Sequence, residues 1–305
     1  MRDAFVSALT SLAENDKDVI FLTGDLGFGV FDEFESRFPN QYFNVGVAEQ
    51  NMTGLAVGLS LEGKKVVTYS IANFATLRCL EQIRNDACYH DTNITIVANG
   101  GGFSYGSHGM SHHATEDLAI LRALPNITVL APCTEKEAIE ATKSLISNRG
   151  VGYLRLDKSS ADDSRIKSTF KIGKSRRYLE GKDLTLIATG GILEDANNAA
   201  LKLKKHGINS RVVGMHTIKP IDKNEIIDAA QNTGGIITIE EHNKDGGLGS
   251  AVCEVCMDNK VMPKKFLRIG LDNIYSSIVG SQKHLKKEYE MDCEAIVQKA
   301  LELLN

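Results

Sequence analysis

A chain of 305 residues with 42% hydrophobic content can bury a substantial core, and that length suits two domains of ordinary size better than one. Its net charge of -4 comes from interspersed acids and bases without long runs of one sign, so neither nucleic acid nor a membrane surface is an expected partner. No stretch approaches the roughly 18 uninterrupted apolar residues of a membrane-spanning helix.

Short apolar runs alternate with longer segments of helical period, the pattern of βα units around a mostly parallel sheet, and the expected class is α/β. A helix opens the chain, and Met1-Arg2-Asp3-Ala4-Phe5 lacks a signal-peptide core. Strands are expected at Val19–Leu22, Lys65–Tyr69, Ile94–Ala98, Thr128–Leu130 and Gly152–Arg155. Helices fall between them at Ala48–Ser60, Ala75–Cys88, Thr115–Leu124 and Glu135–Ser147. The stretch Asp157–Lys174 is polar, rich in Ser and Lys, and has neither periodicity, so it reads as a linker. The alternation then restarts with the strand Leu184–Ala188, a helix to about His206, the strand Ser210–Gly214, a helix through Ala230, the strand Ile236–Glu240 and a helix after Gly247. The expected organisation is two consecutive mostly parallel-sheet domains, residues 1–160 and 176–305, joined by a linker over 161–175.

Six cysteines, Cys79, Cys88, Cys133, Cys253, Cys256 and Cys293, are expected to stay thiols in a reducing, cytoplasmic compartment. Only Cys253 and Cys256 form a CxxC. In SAVCEVCMDN they share one face of a helix, and no second cysteine pair completes a metal site, so they read as buried structural thiols.

Three segments of the first half gather polar groups at strand ends, where open parallel sheets bind ligands. Asn44-Val45-Gly46-Val47-Ala48-Glu49-Gln50-Asn51 puts a carboxylate in the first turn of a helix. Taken alone, Glu49 is a favourably placed helix-start acid, an effect of at most about 1 kcal/mol. In Tyr69-Ser70-Ile71-Ala72-Asn73-Phe74-Ala75-Thr76-Leu77-Arg78, Phe74 is either a platform for a planar ring with Arg78 one turn on, or a core phenylalanine beside a surface arginine. The third segment runs from Gly100 to His113. Four glycines within its first seven residues exclude ordinary secondary structure and suggest a flexible loop that ends in a histidine cluster. His108, His112 and Glu116, spaced at four, admit a metal site, but Gly106 and Gly109 argue against a helix there. Contacts to a sugar hydroxyl, proton shuttling and plain structural histidines are the other readings.

Together these segments resemble the transketolase family, most closely its split forms, in which a separate chain carries the C-terminal half. The resemblance rests on NVGVAEQNMTGLAVGLSLEGKKVVTYS, NFATLRCLEQIRNDACY, TEDLAILRALPNITVLAP and GYLRL in the first half. In the second half it rests on DLTLIATGGILEDANNAALKLKKHGI, MHTIKPID and TIEEHNKDGGLGSAV, so it runs nearly end to end. It implies a pyrimidine-binding domain followed by a transketolase C-terminal domain. The implied cofactors are thiamine diphosphate and Mg²⁺, and the implied reaction transfers a two-carbon ketol unit from a ketose to an aldose.

Carried over by position, Glu49 matches the glutamate that hydrogen-bonds N1′ of the cofactor's aminopyrimidine and favours the tautomer able to deprotonate C2 of the thiazolium. Phe74 falls where family aromatics pack on that ring, and Arg78 and Asp25 stand with it as cofactor-binding candidates. His112 matches the histidine of the family's Thr-His element, which contacts the donor; Glu49 and His112 are the catalytic candidates. Arg155 and Arg2 match arginines that grip a sugar phosphate, and His108 is a further substrate contact.

The departures from the family pattern carry information too. The fingerprint that holds Mg²⁺ and the diphosphate, Gly-Asp-Gly followed some 25 to 30 residues later by Asn, is absent: Gly24-Asp25-Leu26 breaks the triplet and Asp245-Gly246 lacks the leading glycine. His108 stands where the family usually has an acid, and two phosphate-contacting positions align with Gly100 and Gly29. The resemblance therefore implies an N-terminal partner subunit that holds the metal and diphosphate, an α2β2 heterotetramer, and sugar or sugar-phosphate substrates. The competing readings are the β-subunit of a 2-oxo acid dehydrogenase and a non-catalytic regulatory or scaffolding protein on the same fold.

Overall fold

The computed structural model describes residues 1–164, 166 and 168–304, so Arg165 and Lys167 of the expected linker, with Asn305, lie outside the described residues. Where the chain is apolar at successive positions it forms strands covered on both sides. Val19–Thr23 (β1) is buried throughout. Its Val19 and Phe21 pack with Phe5, Leu9 and Phe34, while Ile20 and Leu22 pack with Met52 and Ala56, the two-face alternation of a strand between helical layers. Tyr42–Asn44 (β2), Lys65–Ile71 (β3), Ile94–Asn99 (β4), Ile127–Leu130 (β5) and Val151–Leu156 (β6) follow. Beyond them lie Arg176–Leu179 (β7), Leu184–Ala188 (β8), Ser210–Gly214 (β9), Thr217–Lys219 (β10), Ile236–Asn243 (β11) and Phe266–Leu271 (β12).

The first sheet has the order β10-β5-β6-β4-β3-β1-β2 and is parallel except for β10, which runs antiparallel to β5. The second has the order β12-β11-β8-β9-β7, parallel except for β7 against β9. All eight expected strands are present. Sequence reading misses β2, β7, β10 and β12: β2 and β10 are three-residue edge strands too short for a visible period, β7 opens on two arginines, and Arg268 interrupts the apolar run of β12. β10 joins the two halves, since a segment from beyond the linker completes the first sheet.

The single helix expected over Ala75–Cys88 is broken. A short helix spans Ala72–Thr76, a turn follows, and Leu80–Gln82 leads into a π-helical stretch, Ile83–Cys88. The wider turn lets Cys79, Ile83, Ala87 and Cys88 all enter the core while Arg78 stays outside, and such π segments gather at functional sites. The helix expected from Thr115 begins at Asp117, because the Thr115 carbonyl accepts instead from the Asn243 amide at 2.8 Å.

A buried polar seam ties the domains. Arg155, 3% exposed, lies 3.4 Å from Asp117 Oδ1 and 3.4 Å from Asp157 Oδ1, and donates to the Glu241 carbonyl at 2.9 Å. Asp157 in turn accepts from the Gly191 amide at 2.7 Å, and the Glu241 carboxylate accepts from the Phe103 amide and from Gln282 Nε2 at 3.0 Å. Here the glycine loop departs from expectation. A Cβ on Gly101 would sit 1.9 Å from Arg155 Nε and one on Gly102 2.6 Å from Glu241 Cγ, so these glycines permit close packing rather than flexibility. Phe103 and Ser104 are buried. The start of the expected linker is likewise seated, with Asp157 in the seam and the Ala161 amide on the Cys133 carbonyl at 3.0 Å. Cys253 and Cys256 lie on the helix Leu248–Asp258; Cys256 is buried as expected, Cys253 is only half-buried, and burial pushes both thiols up. Among the described residues no helix is long and apolar enough to cross a membrane.

Candidate active site

The site lies at the C-terminal ends of β1, β3 and β4, the edge expected for ligands in an open parallel sheet. Gly46, at φ 74°, turns the chain so that Glu49 opens the helix Glu49–Leu61 facing inward. Its side chain is 1% exposed. Ser70, near the end of β3, donates to Glu49 Oε1 at 3.1 Å, and Arg78 Nη1 donates to Oε2 at 2.7 Å. The Arg78 guanidinium lies 4.6 Å from the centre of the Phe74 ring, within cation–π range.

From Phe74 a row of rings runs along the loop. His112 stands edge-on to Phe74 at 5.1 Å, His108 is 5.0 Å from His112, and Tyr105 is 5.8 Å from His108. Asn99, the last residue of β4, donates to the Tyr105 hydroxyl at 2.6 Å, and Lys158 Nζ ends the row 4.5 Å over the Tyr105 ring. Asn73 pins the loop to the helix below it through the Ser111 carbonyl at 2.7 Å. Burial, and after it the neighbouring His108, hold His112 below the usual histidine value, so it stands neutral near pH 7. Burial lowers His113 in the same way.

Of the sequence candidates, Glu49, Phe74, Arg78, His108 and His112 come together. Asp25 lies one residue from Gly24, whose Cβ would be 3.6 Å from Glu49 Oε1, but its carboxylate is engaged by the Asn44 side chain at 2.9 Å. Arg2 is half exposed at the chain start and pairs with Asp3 at 3.0 Å. Arg155 is not brought to the open face. Its guanidinium is turned into the domain seam, where two carboxylates and a carbonyl hold it. The spacing of His108, His112 and Glu116 does not assemble a metal site: the histidines occupy separate 3₁₀ turns, and Glu116 accepts from Asn243 Nδ2 at 3.4 Å. No group of three His, Cys, Asp or Glu among the described residues is close enough to hold a metal ion.

Sequence reasoning misses Ser70, Asn99, Tyr105 and Lys158. Tyr105 and Ser70 lie inside segments that read as polar strand ends, whereas Lys158 is hidden in what reads as linker. The donor set suits the edge of a flat, protonatable heteroaromatic ring: one buried carboxylate oriented by a hydroxyl, an aromatic face beside it, and neutral imidazole further along.

Comparison with known proteins gives matches at family level and over the full chain. Residues 1–163 match the transketolase pyrimidine binding domain, and residues 173–296 match the transketolase C-terminal domain. The chain is 35% identical to an apulose-4-phosphate transketolase subunit of Phocaeicola vulgatus, covering 99% of this chain and 97% of that one. It is 38% identical to the putative transketolase C-terminal section of Methanocaldococcus jannaschii, covering 99% and 95%. A solved split gene transketolase, an inactive β4 tetramer, superimposes with a TM-score of 0.90 at 34% identity, covering 99% of this chain and 97% of that one. These relatives do not favour a 2-oxo acid dehydrogenase β-subunit or a non-catalytic scaffold.

Proposed function

Because the chain belongs to the transketolase family, as the C-terminal subunit of a split, thiamine diphosphate-dependent transketolase, we propose that Glu49, Phe74 and His112 form the pyrimidine half of the active site. An N-terminal subunit then holds Mg²⁺ and the diphosphate, and the two kinds of chain pair as an α2β2 heterotetramer. The observation that carries this reading is the placement of a buried, oriented glutamate beside an aromatic face and a neutral histidine at the strand ends of the first sheet. Support for the assembly comes from Phe28, Phe43, Val47, Leu55 and Leu77, large apolar side chains left exposed around this edge, since such patches mark docking surfaces.

When bound, the cofactor supplies the carbon nucleophile that moves a two-carbon ketol unit from ketose to aldose. Glu49 would hold the cofactor's pyrimidine by a hydrogen bond to its carboxylate, and Ser70 fixes the carboxylate orientation that this requires. Phe74 provides a flat apolar bed. His112 both donates and accepts toward substrate hydroxyls, and His108 and Tyr105 extend that polar wall. Lys158 places a cation at the far end, suited to a phosphate or other anionic group on the sugar; Arg155 is sealed in the seam, and Arg2, whose charge reaches Tyr105, is a second cation toward that end.

The test is calorimetric titration of the isolated chain with Mg²⁺ and thiamine diphosphate. Negligible binding is expected, with binding and activity appearing together on addition of the N-terminal subunit. Tight binding to the isolated chain would overturn the division of labour.

A further inference from the structure

The ion pair between Glu49 and Arg78 is unequal: the glutamate side chain is 1% exposed and the arginine 44%. The guanidinium therefore closes the open side of a carboxylate that Ser70 already holds by its other oxygen. The same guanidinium lies against the Phe74 ring at 4.6 Å. On the functional reading above, a protonated aminopyrimidine needs both contacts at once, a hydrogen bond donated to Glu49 and a flat approach to Phe74. Guanidinium is planar, permanently cationic and donor-only, so it satisfies both demands. Ring and guanidinium compete for one carboxylate oxygen and one aromatic face.

We infer that Arg78 is an internal stand-in for the cofactor's pyrimidine, occupying its place in the subunit and swinging outward when the cofactor enters. The inference rests on the proposed role of Glu49. The local backbone suits such a movement. Arg78 lies in the turn between the helix Ala72–Thr76 and Leu80–Gln82, beside exposed Leu77, and among the described residues it makes no other hydrogen bond. A buried carboxylate with no cation near it is costly, so the stand-in gives Glu49 a hydrogen-bonded partner and holds it aimed until the ring arrives. Ser70 stays in place throughout, so the exchange replaces one donor by another at Oε2 and strips nothing from Oε1.

A place that is filled most of the time lowers the apparent affinity of its ligand by the fraction of time it is open. In the complex reconstituted with the N-terminal subunit, cofactor association is followed by stopped-flow and affinity by calorimetry for wild type, Arg78→Ala, Arg78→Gln and Arg78→Lys. The expected result is faster association and roughly tenfold tighter binding in Ala and Gln, the gain for an open fraction of about one tenth, with Lys in between. A thermal melt of the isolated subunit should show Arg78→Ala destabilised, with much of the loss recovered in Arg78→Ala/Glu49→Gln. Unchanged or weaker cofactor binding in both Ala and Gln variants overturns the stand-in and makes Arg78 a surface residue or a permanent cofactor ligand. The underlying reading is checked separately by C2-proton exchange in Glu49→Gln. Exchange lost there, with no gain in the Arg78 variants, sinks the stand-in alone, whereas exchange retained sinks the role of Glu49 itself.

Discussion

Two of the arginine–carboxylate systems in the first domain hold a buried acid near the strand ends, and burial of the arginine sets them apart. At the open edge, an arginine nearly half exposed caps the buried Glu49 and rests on an aromatic ring. At the seam, Arg155 is enclosed between Asp117, Asp157 and the Glu241 carbonyl, while Asp117 also accepts from the Tyr153 hydroxyl at 2.5 Å. Both arginines face acids near strand ends, and on sequence alone Arg155 is the better candidate for a phosphate clamp. The difference is solvent access. A half-exposed guanidinium can be exchanged for another donor, because water takes over its own hydration while the newcomer takes the buried carboxylate, whereas a fully enclosed one cannot leave without stranding two charges. Exchange of ligands belongs to the first pair and cohesion of the domains to the second.

The sharpest way to break that contrast is to remove each arginine or its partner and ask which property fails. Arg155→Ala leaves Asp117 and Asp157 buried without their cation, and a loss of about 3–5 kcal/mol is expected, read as a lower urea midpoint. A loss below about 1 kcal/mol would mean that apolar packing across the seam holds the domains and the ion pairs are incidental. On the open side, Glu49→Gln should leave the urea midpoint near wild type yet slow C2-proton exchange of the bound cofactor by about 100-fold or more in the assembled complex. Unchanged exchange would reduce Glu49 to a helix-start acid.

The seam should also respond to pH. Burial, followed by the charge of Asp157, raises the Glu241 carboxyl above its usual value, with Lys286 opposing. Because the folded value exceeds the unfolded one, the contribution of this group is full below about pH 4.3 and is lost as pH rises through the folded value. Wild type should therefore lose stability relative to Glu241→Gln on raising the pH through that window, with a slope no steeper than about 1.4 kcal/mol per pH unit. Parallel stability curves for the two proteins would show that Glu241 is ionised in the fold as it is in the open chain.

Much of this is legible in the amino-acid string, and the failures share a cause. The eight expected strands are visible because both faces are covered, which forces runs such as VIFL and ITIVA to be largely apolar along their length. Glu49, Phe74 and His112, which the structure brings together, stand out in the string through the family resemblance, since each taken alone also has an ordinary structural reading. Arg155, Asp157 and Gly102 are misread because partners of each come from the second domain, Glu241 far along the chain and Gly191 nearer, and Gly101 because it packs on Arg155 and Asp157 more than fifty residues on. No local pattern announces a contact of that kind. Lys158 is lost for the converse reason, since a polar stretch with no period has the same composition whether it wanders in solvent or ends a functional row.

The smallest effect tests the outer part of that row. The family resemblance puts His108 at a position where an acid is usual, and its ring lies 5.0 Å from His112 and 5.8 Å from Tyr105. Imidazole is larger than a carboxylate and can donate as well as accept, so it pairs with a different hydroxyl configuration, a deoxygenated carbon or an anionic group. His108→Asp should then shift the ranking of ketose donors by kcat/KM in the reconstituted complex, by about tenfold for the pair most affected, the equivalent of one net hydrogen bond. The panel needs donors with and without phosphate, because Lys158 lies beyond Tyr105 and a phosphate effect at His108 must be separated from one there. The same substitution should raise the His112 value, since a carboxylate replaces the imidazole that now helps hold it down, moving the acid limb of the pH–rate profile upward. A donor ranking and an acid limb both unchanged would place His108 outside the substrate's reach and end the row at His112.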